Sequence, residues 1–223
     1  MELQRLQRPL TPIDGIEPTE LYPLRRELDT ANNGMLDALS GEAITYKSTD
    51  SGNIYLLKHC LAPAEITLKV HAQVMLTKNL TPTLVNGSRG VVVGFEEDSE
   101  KKLYPRVKFA NQETLVISQY SFTFDSQGFS KATRVQLPLI LAWALSIHKS
   151  QGQTIDYLRI DLKSSFDYGQ AYVALSRVRS MEKLQVLNFT KSVVKAHKKV
   201  IEFYDEVDRK KSNGEQIPVS YSA

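Results

Sequence analysis

At 223 residues the chain can hold one domain or two and bury a sizeable core. Its 42% hydrophobic and 24% charged content is ordinary for a globular protein, and a lone cysteine, Cys60, excludes an internal disulfide. The net charge of +3 is unevenly spread: residues 1–130 carry 13 Lys/Arg against 16 Asp/Glu, whereas residues 131–223 carry 15 against 9. A basic C-terminal part suits a phosphate-bearing partner, although KSVVKAHKK (191–199) reads first as a solvated helix face. The longest apolar run, LPLILAWALSI (137–147), is too short to cross a bilayer, and the N-terminus lacks the apolar core of a secretion signal. No membrane partner is expected.

The opening residues, with Pro9, Pro12 and Gly15, read as an arm over 1–18. From 19 a short apolar start gives way to a helical pattern in which Leu24, Leu28, Ala31, Met35 and Leu39 recur three or four apart, and Gly41 is a plausible stop. Residues 42–62 are polar and rich in Thr, Ser and Asp. EITLKVHAQVML (65–76) alternates apolar and polar positions, which predicts strands. Asn86-Gly87 is a strong turn signal ahead of a valine-rich strand, and short strands with turns continue to 135. Residues 84–135 therefore read as a small antiparallel β-barrel. After it the pattern alternates β and α. VQLPLILAWAL is a buried strand and SIHKSQG a short helix capped by Ser146. TIDYLRIDL is a strand, DYGQAYVALSRV a helix and LQVLNF a strand. SVVKAHKKVIEFYDEVDRK is a long amphipathic closing helix, and 210–223 a flexible tail. Such alternation predicts an α/β domain with a parallel sheet covered on both faces, built from 19–83 and 136–209 around the inserted barrel.

Three stretches could carry chemistry. In SIHKSQGQT (146–154), Ser146, His148, Lys149 and Gln151 crowd the first turn after a strand, where helix amides and side chains can meet phosphate. Gly152 allows close backbone approach. The plain alternative is a polar turn that caps a helix. In YVALSRVRS (172–180), Arg177 lies late in a short helix, from whose edge a guanidinium can be aimed across a cleft at a transferring phosphoryl group; the alternative is a surface ion pair with Asp167 or Glu182. Lys78 and Asn79 close a strand at a loop mouth and could touch a strand backbone, or be turn chemistry alone. The four histidines are dispersed and no zinc spacing occurs, so no metal site is expected. The chain has no Gly-Lys pair, hence no G-x-x-x-x-G-K-[ST] loop to hold a triphosphate.

Taken together, ELYPLRRELDTAN (20–32), LKVHAQVMLTKN (68–79), VNGSRGVV (85–92), LPLILAWALSIHKSQGQTI (137–155) and YGQAYVALSRVRSMEKLQVLNF (168–189) resemble the C-terminal half of a superfamily 1B DNA helicase of the petite-integration-frequency family. The resemblance implies the second RecA-like domain of a P-loop NTPase with an inserted Src-homology-3-like barrel. It implies an intact enzyme that uses ATP and Mg2+ to move 5′ to 3′ on single-stranded DNA, with the metal ligands outside this chain. Ser146, His148 and Lys149 would then meet DNA, as would Lys78 and Asn79. Gln151 and Gly152 would lie near the phosphates, with Arg25 or Arg26 helping at the nucleotide. Arg177 would be the finger toward the γ-phosphate of an ATP held by a missing N-terminal RecA-like domain. By the same resemblance the protein would be monomeric and intracellular. It would serve DNA replication, repair, recombination and telomere maintenance in the nucleus or mitochondrion, with any targeting segment outside this chain. Alone the chain would be inactive. The rival reading is a non-catalytic barrel that binds RNA or DNA, because NGSRGVVVGF (86–95) also resembles the G-x-x-G-x-V hairpin of such modules.

Overall fold

The computed structural model describes residues 6–22, 25–126, 128, 130–147, 150, 155, 157–162, 168–178, 180–190 and 195–213. In chain order the elements are β1 (Thr19–Tyr22), α1 (Arg25–Ala38), β2 (Ile44–Lys47), β3 (Thr49–Gly52), a 3₁₀ turn (Ile54–His59), β4 (Glu65–Leu68) and β5 (Gln73–Leu76). Next come β6 (Arg89–Glu97), β7 (Leu103–Phe109), β8 (Thr114–Val116), β9 (Tyr120–Asp125) and β10 (Lys131–Gln136). The chain continues through β11 (Leu139–Leu141), β12 (Ala144–Ser146), β13 (Leu158–Asp161), α2 (Gln170–Leu175), β14 (Leu184–Leu187) and α3 (Lys198–Ser212).

Among the described residues, one wholly parallel sheet runs in the order β12-β1-β13-β14. The register places Leu21, Leu145, Leu158, Ile160, Leu184 and Val186 on one face, and Ala171 and Ala174 of α2 join them in a buried apolar cluster. The opposite face is polar. Helix α1 lies against its β1–β12 half; over β13 and β14 the side chains of Arg159 and Gln185 answer Glu20 in an adjacent row. Among the described residues the sheet is thus covered by helix on one face and on half of the other, less than the expected cover on both.

The antiparallel half contains a five-stranded sheet, β11-β5-β6-β7-β8, a three-stranded sheet, β3-β10-β9, and the β2–β4 pair. Residues 84–135 are antiparallel, as their alternation predicts, but they recruit β3, β5 and β11 from outside that span. The described pairings do not include closure into one small barrel. The stretch 42–62, to which no element was assigned from sequence, forms β2, β3 and the 3₁₀ turn; Asn53 caps the turn by accepting from the Tyr55 amide. Gly52 at φ +78° must be glycine, because a Cβ there would lie 2.2 Å from the Lys131 carbonyl oxygen.

Two expectations fail for a clear reason. VQLPLILAWAL is not one strand: its residues end β10, make β11 in the antiparallel half and enter β12 in the parallel sheet. A continuous apolar run conceals such a change of partner, since buried and half-buried positions follow one another in it without a period. The closing helix starts only at Lys198, and no residue of α3 is buried. Its ion pairs, Lys198–Glu202 and Lys210–Glu206, are of the i,i+4 kind that support an exposed helix. The arm, by contrast, is bound down: Leu10 and Ile16 are buried, Ile13 and Ile16 bridge, and Tyr157 donates its hydroxyl to the Thr11 carbonyl.

The two halves are joined at one buried point. Strand β5 is buried along its whole length because its alternation serves two cores: Val74 and Leu76 pack with Phe109 and Leu137, while Met75 packs with Leu145 and Leu158. Gln73, fully buried, accepts from the Glu17 amide (2.7 Å) and donates to the Glu17 carbonyl (3.1 Å) and the Ala142 carbonyl (2.9 Å). Thr19 donates to the same Ala142 carbonyl (3.0 Å). Arg89 donates to Thr19 Oγ1 (3.0 Å) and the Tyr157 carbonyl (2.9 Å). Gln73→Leu removes the partner of the Glu17 amide and of the Glu17 carbonyl and leaves the Ala142 carbonyl with Thr19 as its side-chain donor. It should lower stability by about 3 kcal/mol, read as a lower denaturant midpoint. Gln73→Glu, which cannot donate, should not restore it. A midpoint equal to the wild type would show that this junction carries little of the fold.

Candidate nucleic-acid interface

Strands of the parallel sheet all end on one edge, and β12 reaches that edge at Ser146. Its free side is not left open. Asn32 of α1, only 5% exposed, accepts from the Ala144 amide (2.9 Å) and donates to the Ala144 carbonyl (2.8 Å), standing in for a further strand. The helical spacing pointed to Leu28, Ala31, Met35 and Leu39. The buried face is instead Leu28, Asn32 and Leu36, and Met35 is exposed. A buried polar residue breaks the apolar pattern because an edge strand has to be satisfied.

Beyond β12 the chain turns. Ser146 is buried within the strand, and its backbone carbonyl, not its side chain, accepts from the Ser150 amide (3.1 Å). Ser150 donates its hydroxyl to the Ile147 carbonyl (2.7 Å). The expected positions His148, Lys149, Gln151 and Gly152 lie outside the described residues, as does the rest of the expected helix. Arg177 follows α2 and folds back on this same segment: its carbonyl accepts from the Ile155 amide (2.9 Å) and Nη1 faces the Ser150 carbonyl (3.4 Å). Nε donates to the Val173 carbonyl (2.9 Å) and Nη2 to Ser176 Oγ (2.9 Å). Among the described residues every acceptor of this guanidinium is neutral. Glu182 is not paired with it, and Asp167 lies outside the described residues. Two of the stretches singled out in the sequence are therefore brought together, at the end of β12.

Arg25 opens α1, with its side chain outside the described residues. Arg26 is exposed, and its carbonyl accepts from Thr30 Oγ1. Beside them, Tyr22 donates to Glu20 (2.7 Å), and burial, reinforced by that carboxylate, pushes its phenol up to about 12. Glu20 pairs with Arg159 (3.0 Å), which donates to Gln185 (2.8 Å). This ladder was not foreseen, because partners 139 and 26 residues apart leave no local signal.

Lys78 and Asn79 sit on the antiparallel half. Asn79 accepts from the Asn86 amide (2.8 Å), which closes the loop between them. Lys78 turns its ammonium onto β9, 4.0 Å from the ring centre of Tyr120 and 5.5 Å from that of Phe122, and donates to the Ser121 carbonyl (3.3 Å). Cation–π contacts of this exposed kind contribute about 0.5–1 kcal/mol each. Tyr120 and Phe122 were missed. The alternation in YSFTFD that puts both rings on one side of β9 was the available signal.

A cleft of about 500 Å³ lies between α1 and the antiparallel half and is lined in part by Ser146; its charged lining is Asp29, Lys58, Glu65 and Arg134. Arg134 grips Asp50 with two parallel bonds, Nε to Oδ1 at 2.8 Å and Nη2 to Oδ2 at 2.6 Å. That guanidinium holds the Asp50 carboxyl below the usual range, while burial pushes the Cys60 thiol up. A carboxyl depressed in the folded state stabilises fully above its unfolded value near 4, and that contribution is lost as pH falls through the folded value. Asp50→Asn should thus cost about 1 kcal/mol at pH 7, with the gap to wild type closing below about pH 4. Urea titrations at pH 7 and pH 3 read this directly; a gap independent of pH would mean the pair is not what Asn disturbs.

The chain as a whole is similar to known proteins. The family described as DNA helicase Pif1, 2B domain matches residues 55–95. The ATP-dependent DNA helicase PIF1 of Emericella nidulans is 40% identical over 256 aligned residues, covering 90% of this chain and 34% of that protein. The crystal structure of Pif1 helicase from Candida albicans superposes with a TM-score of 0.76 at 43% identity, over 92% of this chain and 53% of that one. Bacteroides Pif1 bound to single-stranded DNA superposes with a TM-score of 0.64 at 25% identity, over 95% of this chain and 49% of that one. The chain spans about a third of the length of the curated relatives it matches.

Proposed function

Because the chain belongs to the PIF1 family of DNA helicases, we propose that it forms the C-terminal portion of an ATP-dependent 5′-to-3′ DNA helicase, to which it supplies single-strand contacts and an arginine finger. The observation that carries this reading is Arg177: a guanidinium anchored to the segment after β12, with only neutral acceptors among the described residues. An arginine already neutralised by a carboxylate has little left for an incoming phosphate. One held by carbonyls and a hydroxyl keeps its full charge and a set direction.

In this reading the parallel sheet is the second RecA-like domain. The antiparallel strands around 84–135 are its inserted Src-homology-3-like unit. ATP and its Mg2+ are held mainly by a preceding domain, since this chain has no phosphate-binding loop. Arg177 offsets the charge that builds on the γ-phosphoryl group during transfer. Gln151, Gly152 and Arg25 or Arg26 are assigned to the nucleotide side, and Ser146, His148, Lys149, Lys78 and Asn79 to the strand. Because Arg177 is bonded to the backbone of the strand-gripping segment, a movement of one drags the other, which is what coupling hydrolysis to stepping requires. The helicase acts as a monomer on single-stranded DNA.

The 223-residue chain alone should hydrolyse no ATP. In the intact protein Arg177→Ala should lower kcat for DNA-stimulated hydrolysis by about 10³-fold and leave single-strand affinity nearly unchanged. A two- or three-fold loss would remove the finger role. Unchanged turnover together with strong nucleic-acid binding would favour the non-catalytic module instead.

A further inference from the structure

Arg177 owes its direction to the residue before it. Its Nε donates to the Val173 carbonyl and its Nη2 to Ser176 Oγ, both at 2.9 Å. The Ser176 hydroxyl in turn donates to that same Val173 carbonyl, again at 2.9 Å. The three bonds close a small ring, and with its hydrogen spent on the carbonyl the hydroxyl oxygen meets the guanidinium as an acceptor. Nε and Nη2 are the fork with which Arg134 grips the two oxygens of Asp50, at 2.8 and 2.6 Å. At Arg177 the same fork again meets two acceptors, but one is a backbone carbonyl and the other a serine hydroxyl. Ser176 thus completes a neutral substitute for a carboxylate, which orients the guanidinium without cancelling its charge. The edge carrying Nη1 is held less closely, 3.4 Å from the Ser150 carbonyl, and is the edge left to meet an anion.

Local structure does not call for this hydroxyl. Ser176 follows the last turn of α2 at φ −75° and ψ −2°, still helical, so its side chain reaches back three residues to Val173. Back-bonding of this kind slightly weakens a helix, and alanine would serve the helix better. Ser176 is also exposed, so it fills no place in a core. We infer that Ser176 is a positioning residue for Arg177: its hydroxyl fixes the plane of the guanidinium so that the Nη1 edge faces the phosphoryl group in transfer. This rests on the helicase reading and deepens it, since Ser176, on which no role has so far been placed, acts on the nucleotide only through Arg177.

The test uses the intact helicase and steady-state ATP hydrolysis stimulated by oligo-dT. Ser176→Ala removes the acceptor and should lower kcat about 10-fold while KM for ATP stays within about two-fold, because lost aim falls on the transition state. Ser176→Thr keeps a hydroxyl that can still bond the carbonyl three residues back, and it should hold kcat within about two-fold of wild type. In an Arg177→Ala background, Ser176→Ala should have no further effect, since the group it aims is gone. Three results would overturn the positioning role while the finger stands, with Arg177→Ala down by about 10³-fold. They are wild-type kcat in Ser176→Ala, a loss in Ser176→Thr as large as in Ser176→Ala, and the full Ser176→Ala loss repeated in the Arg177→Ala background. A loss of only about two-fold in Arg177→Ala itself would remove the finger role, and the positioning role with it.

Discussion

The Ala142 carbonyl is the point on which the two halves of this protein hang. It receives two hydrogen bonds, one from Gln73 of the antiparallel half and one from Thr19 at the start of the first parallel strand. No water can replace either donor, because Gln73, Thr19 and Ala142 are all fully buried. A buried carbonyl that loses its donors pays the whole desolvation cost, whereas an apolar contact that loosens gives up only part of its gain. The junction is therefore more selective about geometry than the apolar cores on either side. It requires the chain to leave β11 and enter β12 at Ala142-Trp143, and it requires the arm to arrive at Glu17 alongside Gln73. The parallel sheet and the antiparallel sheet cannot drift apart by sliding, only by breaking this network.

That constraint also accounts for what could and could not be read from the sequence. Strands with one solvated face were legible: β4 and β7 alternate, and Asn86-Gly87 announces the turn into the valine-rich β6. So were β13 and β14 of the parallel sheet, bounded by polar loops. The buried run VQLPLILAWAL was not, because periodicity vanishes when both faces are covered. Nothing in its composition says that Leu139–Leu141 pairs with β5 while Ala144–Ser146 pairs with β1. Asn32 failed for the same reason from the other side. On a helical wheel it is a flaw in an apolar stripe, and only the presence of an edge strand beside it turns it into the residue that completes the sheet.

The candidate site divides along the same line. The stretches around Ser146 and Arg177 were found because they are local and rich in chemistry-bearing residues, and the fold then brought them into contact. The aromatic partners of Lys78 were not found, since Tyr120 and Phe122 lie more than forty residues away and read as ordinary strand residues. Sequence proximity reveals residues that act from one loop. Residues that act across a sheet have to be seen in place.

The arginines separate by what they touch, and the separation bears on function. Arg134 is clamped to Asp50, Arg159 to Glu20 and Arg106 to Glu96; in each the guanidinium meets a carboxylate and its charge is used within the chain. Arg177 is held by carbonyls and a hydroxyl among the described residues, and Arg89 likewise donates to the Thr19 hydroxyl and the Tyr157 carbonyl. Fixing a charge without neutralising it costs stability, because a carboxylate in reach would satisfy the same donors with a stronger bond. In the proposed helicase reading, a guanidinium held by neutral groups keeps its charge for an anion that arrives from outside the chain.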